Sequence, residues 1–115
     1  MKQNFCVLRK VTKTLNMLEN ELRDQFDLTL NECIILCLLW EKPYKAMDIA
    51  IHLGIATSRI SRILASLDEK KMIARDTGSR DKREIYMSLT TKAKTALEAI
   101  QASKIKLPVI SITED

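Results

Sequence analysis

The sequence predicts a mainly α-helical domain with one small β-hairpin, and three observations carry that prediction. Glycine and proline number two each in 115 residues, so loops are few and helices dominate. Apolar residues recur at three- and four-residue steps over long stretches, the spacing of one helix face. Only between Met72 and Leu89 does the pattern change to strand, polar turn and strand. One domain is expected over residues 1–106, with a short tail at 107–115. It divides into a helix at 4–26, a central unit at 28–89 and a last helix at 90–106.

Composition narrows the function. Charged residues make up 30% of the chain and apolar residues 46%, the balance of a folded core rather than of a disordered segment. Lys and Arg exceed Asp and Glu by a net charge of +4, an excess that permits nucleic acid without demanding it. Aromatics are only 4%, too few for the stacking platforms of single-strand binders. The longest apolar run, Cys33 to Trp40, falls well short of the roughly 20 residues that span a membrane. Polar residues interrupt the N-terminus, unlike a signal peptide. Three cysteines cannot all pair in one chain, and reduced thiols in a cytoplasm are the simplest reading.

The helix at 4–26 carries Leu8, Val11, Leu15, Leu18 and Leu22 in alternating three- and four-residue steps. That is a heptad seam. It fits packing on its own domain or against a second copy, and its length and narrowness favour dimerisation. Next, Thr29 and Glu32 are spaced as a capping box opening a helix, with Leu28 and Cys33 as its staple. The run from Leu30 to Trp40 is apolar nearly all round, which predicts the buried centre of the domain. Pro43 marks the following break.

Met47 to Leu67 then reads as two helices joined by a tight turn. Ile49, Ala50 and Leu53 share one face of the first, and Gly54 can end it in a left-handed conformation. Ala50 is small where two steeply crossing helices come closest. Ile60, Ile63, Leu64 and Leu67 form the buried face of the second. This is a helix-turn-helix. On the opposite face stand Ser58, Ser61, Arg62, Ala65 and Ser66, with Arg59 at the edge. Hydroxyls and arginines suit a DNA major groove, where Arg forks onto guanine and Ser bonds base edges or phosphates. Arg62 faces straight away from the apolar stripe and is the first choice for base readout. The bland alternative is a solvated helix face.

Met72–Asp76 and Glu84–Leu89 read as strands around the polar turn Thr77–Arg83. A hairpin after a recognition helix is a wing, and its basic tip, with Arg80, Lys82 and Arg83, can reach the DNA backbone or minor groove. Thr90 can cap a last helix with Ala93, Leu97 and Ile100 on its apolar side, running to about Lys106 before Pro108.

The order of these elements resembles the MarR family of bacterial winged-helix transcription regulators over roughly Leu28 to Ile100. The marks are Asp27-Leu28-Thr29, the helix-turn-helix at Asp48–Leu67, the wing sequence Asp81-Lys82-Arg83 and Leu89-Thr90. The resemblance implies that Arg83 contacts DNA and that Asp81 braces the wing through Arg75. It implies terminal helices that dimerise, and a small-molecule effector or oxidant that these residues do not identify. Cys6 lies near the position of the reactive cysteine in peroxide-sensing members, although the tyrosines that accompany it there are missing. Lys71 stands where a glycine is usual, at a cost of order 1 kcal/mol if its backbone is left-handed. Ala56 stands where a capping Ser or Asp is common, which moves the expected cap to Thr57.

The expected function is a homodimeric, sequence-specific binder of double-stranded DNA that acts as a repressor on a palindromic operator. A winged-helix module that binds protein instead is the alternative. Catalysis has little support: His52 has no nucleophile at a recognisable spacing. Cys33 and Cys37 are four apart like a metal pair but lack two further ligands, so they read as core residues. No cofactor or metal is expected.

Overall fold

The computed structural model describes residues 2–77 and 84–105. Five helices and three short strands follow in the order α1 (Lys2–Phe26), α2 (Leu30–Glu41), β1 (Tyr44–Lys45), α3 (Ala46–Leu53), α4 (Thr57–Glu69), β2 (Ile73–Thr77), β3 (Ile85–Leu89) and α5 (Thr91–Ala102). The antiparallel sheet has the order β1-β3-β2. Ile73 sits opposite Leu89, and Tyr44 opposite Met87. The two-residue strand β1 was not foreseen; Pro43 signalled only a break, and the pairing that makes a strand is supplied from β3.

Helix α2 is the centre of the core. Its start has the expected capping box, with Glu32 N–H donating to Thr29 Oγ1 at 3.1 Å and Thr29 N–H donating to Glu32 Oε1 at 2.8 Å. Ile35, Leu36 and Leu39 are buried, and α2 packs against α1, α4, α5 and β3. It is not buried all round. Ile34, Cys37 and Trp40 form an open apolar strip, so Cys37 is not the core residue expected of it.

Three helices end in left-handed residues, and only one of these is glycine: Gly54 at φ 66°, Asp27 at φ 57° and Lys71 at φ 59°. The Lys71 turn has both Schellman bonds, Met72 N–H to the Leu67 carbonyl at 2.9 Å and Lys71 N–H to the Asp68 carbonyl at 3.0 Å. The backbone thus takes the conformation for which glycine is better suited. Thr90 caps α5 as expected, accepting from Ala93 N–H at 3.2 Å. That helix stops at Ala102, short of Lys106, because the chain turns to bury Ile105, with the Ser103 hydroxyl donating to the Ile100 carbonyl.

The apolar seam of α1 divides. Leu18 and Leu22 are buried in the chain's own core, Leu15 is half-buried, and Leu8 and Val11 are exposed. The expected five-residue dimer seam is corrected accordingly. Leu18 and Leu22 pack with the α2 and α5 core and are not available to a second copy. Every residue from Asn4 to Thr14 is exposed.

Candidate nucleic-acid interface

Helices α3 and α4 form the helix-turn-helix. Ile49 and Ala50 of α3 face Ile60, Leu64 and Leu67 of α4, all buried. Gly54 makes the turn, with Ile55 N–H donating back to the Ala50 carbonyl at 3.1 Å. Burial of one face of α4 forces the other outward. Thr57, Ser58, Arg59, Ser61, Arg62 and Ala65 are exposed. Among the described residues, neither Arg59 nor Arg62 lies within salt-bridge reach of a carboxylate. Both guanidinium groups are open to an external anion.

The cap expected at Thr57 is not there. Thr57 is already the first residue of the helix, Ala56 occupies the cap position, and no side chain bonds the terminus. The first turn also lacks an acidic residue. Its free N–H groups and partial positive charge suit a phosphate oxygen beside the groove.

Ser66 is corrected more sharply. Sequence spacing puts it with the groove-facing hydroxyls, but it is half-buried and donates to Glu32 Oε2 at 2.9 Å. Arg62, one turn earlier, is exposed yet lines a cleft with Thr29, Glu32, Arg59, Ile63 and Ser66. It therefore lies on the flank of α4 nearer α2, rather than straight away from the core.

Glu32 is the residue that sequence reasoning undervalued. It is 1% exposed, and Lys70 Nζ stands 2.8 Å from its Oε1. Burial by itself raises the carboxyl pKa. The hydrogen bonds from Lys70, Thr29 N–H and Ser66, with the charge of Lys70, outweigh that and hold it below the ordinary value. The capping box was the visible signal for Glu32. Its reach to α4 depends on a fold that brings together residues 34 and 38 positions apart.

The wing consists of β2 and β3. The residues expected at its tip, Arg80, Asp81, Lys82 and Arg83, lie outside the described residues. Arg75, expected to brace Asp81, has its Nε 3.9 Å from Asp68 Oδ2 at the end of α4, with both side chains largely in solvent. This contact ties β2 to the recognition helix. His52 is exposed and meets Tyr44 edge-on, with ring centroids 5.2 Å apart.

On the other side of the domain, α1, α2 and α5 border a groove of about 470 Å³. Its walls include Leu30, Ile34, Cys37, Trp40 and Leu97, with Glu98 and Gln101 at the polar edge. Desolvation pushes the Cys33 thiol up to about 12 and also raises Cys37, an exposed residue that lines the groove. Neither thiol is poised to react as a thiolate. Cys6 is exposed on the outer half of α1. Among the described residues no cluster of His, Cys, Asp and Glu could hold a metal, and no helix is long and apolar enough to cross a membrane.

A helix-turn-helix with a strand pair behind it, and an uncapped second helix bearing open arginines, defines a winged-helix DNA-binding regulator. Residues 17–100 match the family described as transcriptional regulator SarA/Rot, and the chain belongs to that family. It is 27% identical over 98 residues to the HTH-type transcriptional regulator MgrA of Staphylococcus aureus, covering 83% of this chain and 67% of MgrA. The fold is similar to that of S. aureus MepR in its DNA complex, with TM-score 0.68, 25% identity and coverage of 84% and 80% of the two chains. It is also similar to a mutant of Escherichia coli MarR crystallised with operator DNA, with TM-score 0.79, 19% identity and coverage of 89% and 73%. The winged-helix resemblance seen in the sequence is thus shown in three dimensions.

Proposed function

We propose that the chain is a homodimeric, cytoplasmic transcription repressor that binds a palindromic operator in double-stranded DNA. The carrying observation is the outer face of α4, where Ser58, Arg59, Ser61 and Arg62 stand exposed on a helix whose other face is locked into the core. Ser58 and Ser61 bond base edges or phosphates, Arg62 reads a base and Arg59 anchors the flank. Arg80, Lys82 and Arg83 extend the contact from the wing. Solved DNA complexes of MepR and MarR, both similar in fold, support this placement.

Dimerisation rests on α1. A helix whose outer turns carry Phe5, Val7, Leu8 and Val11, all exposed among the described residues, has apolar surface for a second copy. A dimer places two recognition helices about one DNA turn apart. For Cys6 to act as a redox sensor, hydroperoxide must both consume its thiol and change duplex affinity.

The test is selection of duplexes from a random pool, followed by a salt titration. We expect a palindromic consensus. If the dimer neutralises roughly 6–10 phosphates, affinity falls by about three to five decades between about 50 and 200 mM salt. A flat response, or no bound duplex, would favour a protein-binding module instead. Arg62→Ala should cost about 1–3 kcal/mol and relax preference at one position per half-site.

A further inference from the structure

The start of α2 is a polar junction between the helix assigned to dimerisation and the helix assigned to DNA. From α1, Glu19 Oε2 accepts the Leu30 N–H at 2.7 Å. From α4, Ser66 and Lys70 both bind the Glu32 carboxylate. Lys70 Nζ also donates to the carbonyl of Asp27, in the turn between α1 and α2, at 2.6 Å. Glu32 closes the circuit through the Thr29 N–H. Two carboxylates and one ammonium thus fasten three helices at one point.

The placement of this junction is specific. Arg62, Ser66 and Lys70 follow one another at four-residue steps, so they share one flank of α4. Ser66 and Lys70 are held, and Arg62 at the open end of the same flank is free. Fixing the first two fixes the roll of the helix and the direction from which Arg62 enters a groove. Apolar contacts alone would allow small rotations, since Ile60, Leu64 and Leu67 pack without directional bonds.

We propose that Glu32 is a positioning residue that, through Ser66 and Lys70, sets the angle between α1 and the recognition helix and so the half-site spacing an operator must have. The inference rests on the dimeric DNA-binding reading above. Each base pair added between half-sites moves the second by about 3.4 Å and turns it by about 35°. A rigid junction makes the dimer intolerant of that change, and a loosened one makes it permissive.

The experiment measures affinity for palindromic duplexes built on the selected consensus, with the spacer varied one base pair at a time. The wild type should prefer one spacing over its neighbours by about tenfold, the scale of one hydrogen bond to a charged group. Ser66→Ala leaves the capping box intact and should reduce that ratio several-fold while the best spacing still binds. Lys70→Met and Glu32→Gln should do the same, and Lys70→Arg should restore the preference. Ile100→Ala, a core change away from the junction, should lower thermal stability and leave the ratio alone. Uniform loss of affinity in Ser66→Ala and Lys70→Met, with the wild-type spacing ratio kept, would overturn the proposal. So would a wild type that binds the consensus equally at every spacing, which leaves DNA binding intact. A wild type that binds no duplex removes the DNA-binding reading itself, and the proposal falls with it.

Discussion

The two halves of α1 carry the same apolar periodicity and meet different fates. From Leu18 onward the seam is buried, and Glu19 is bonded to the start of α2. From Asn4 to Thr14 every residue is exposed among the described residues. A heptad pattern therefore identifies an apolar stripe and says nothing about who covers it. The inner half is anchored by its own chain, and the outer half shows only local bonds among the described residues. Isolated helices shorter than about 12–15 residues are marginal in water, so the outer half depends on the inner half to continue from.

The largest expected contrast comes from substituting one leucine in each half. Leu22→Ala opens a cavity at a fully buried site and should cost about 2–5 kcal/mol in denaturant unfolding. Leu8→Glu should leave the fold of the domain intact, because the residue is exposed, and should shift sedimentation equilibrium from dimer toward monomer. A Leu8→Glu protein that stays dimeric at micromolar concentration would move the interface off the outer half.

The anchoring of the inner half can be loosened indirectly. Lys70→Met removes the cation from Glu32 and leaves a buried carboxylate with two donors instead of three. Breaking such a pair costs about 3 kcal/mol, the low end of the range for buried ion pairs, since Lys70 is itself partly in solvent. Thermal unfolding should show the loss. A melt unchanged by Lys70→Met would mean that the junction adds no stability.

Acid and alkali should each destabilise the inner region, through different groups. The folded pKa of Glu32 lies below its ordinary value of 4.5. Its contribution to stability is therefore present above that value and is lost as pH falls through the folded pKa. Cys33 has a folded pKa raised from 9.0 to about 12. Its contribution is complete below 9.0 and is lost as pH rises from there toward 12, where the unfolded thiol ionises first. Unfolding midpoints followed against pH should lose part of the acid dependence in Glu32→Gln and part of the alkaline dependence in Cys33→Ala.

The smallest effect serves as a control on the comparison. Lys71→Gly replaces a side chain held at φ 59° and should stabilise the domain by up to about 1 kcal/mol. It lies outside both halves of α1, so the dimer constant should not move. A change in association with Lys71→Gly would show that the two halves are coupled through the fold more tightly than their contacts suggest.

Much of the architecture was legible in the chain. Helical spacing, the Thr29–Glu32 box, Gly54, Thr90 and the strand pattern after Met72 are local signals, each within a few residues of the structure it makes. The exposed arginines of α4 were legible for the same reason, since burying Ile60, Leu64 and Leu67 leaves the other face out. The misplacements on α4 have two causes. Ser66 and Arg62 were assigned by angle around a single helix, and that angle cannot reveal that α2 runs along the flank. Thr57 is the expected cap because Ala56 stands where the family commonly has one, but the helix starts at Thr57 itself, one residue too early for it to cap.

Sequence by itself determined which surfaces are apolar, which stretches are helical, and which helix presents arginines to solvent, because those properties follow from backbone preference and periodicity. Tertiary structure alone decided what each surface meets. It divided the α1 seam at Leu15, turned Ser66 inward, and brought Lys70 of α4 onto the Glu32 carboxylate and the Asp27 carbonyl. A charge at 1% exposure is stable only where partners from distant segments converge on it, and convergence is a property of the folded chain.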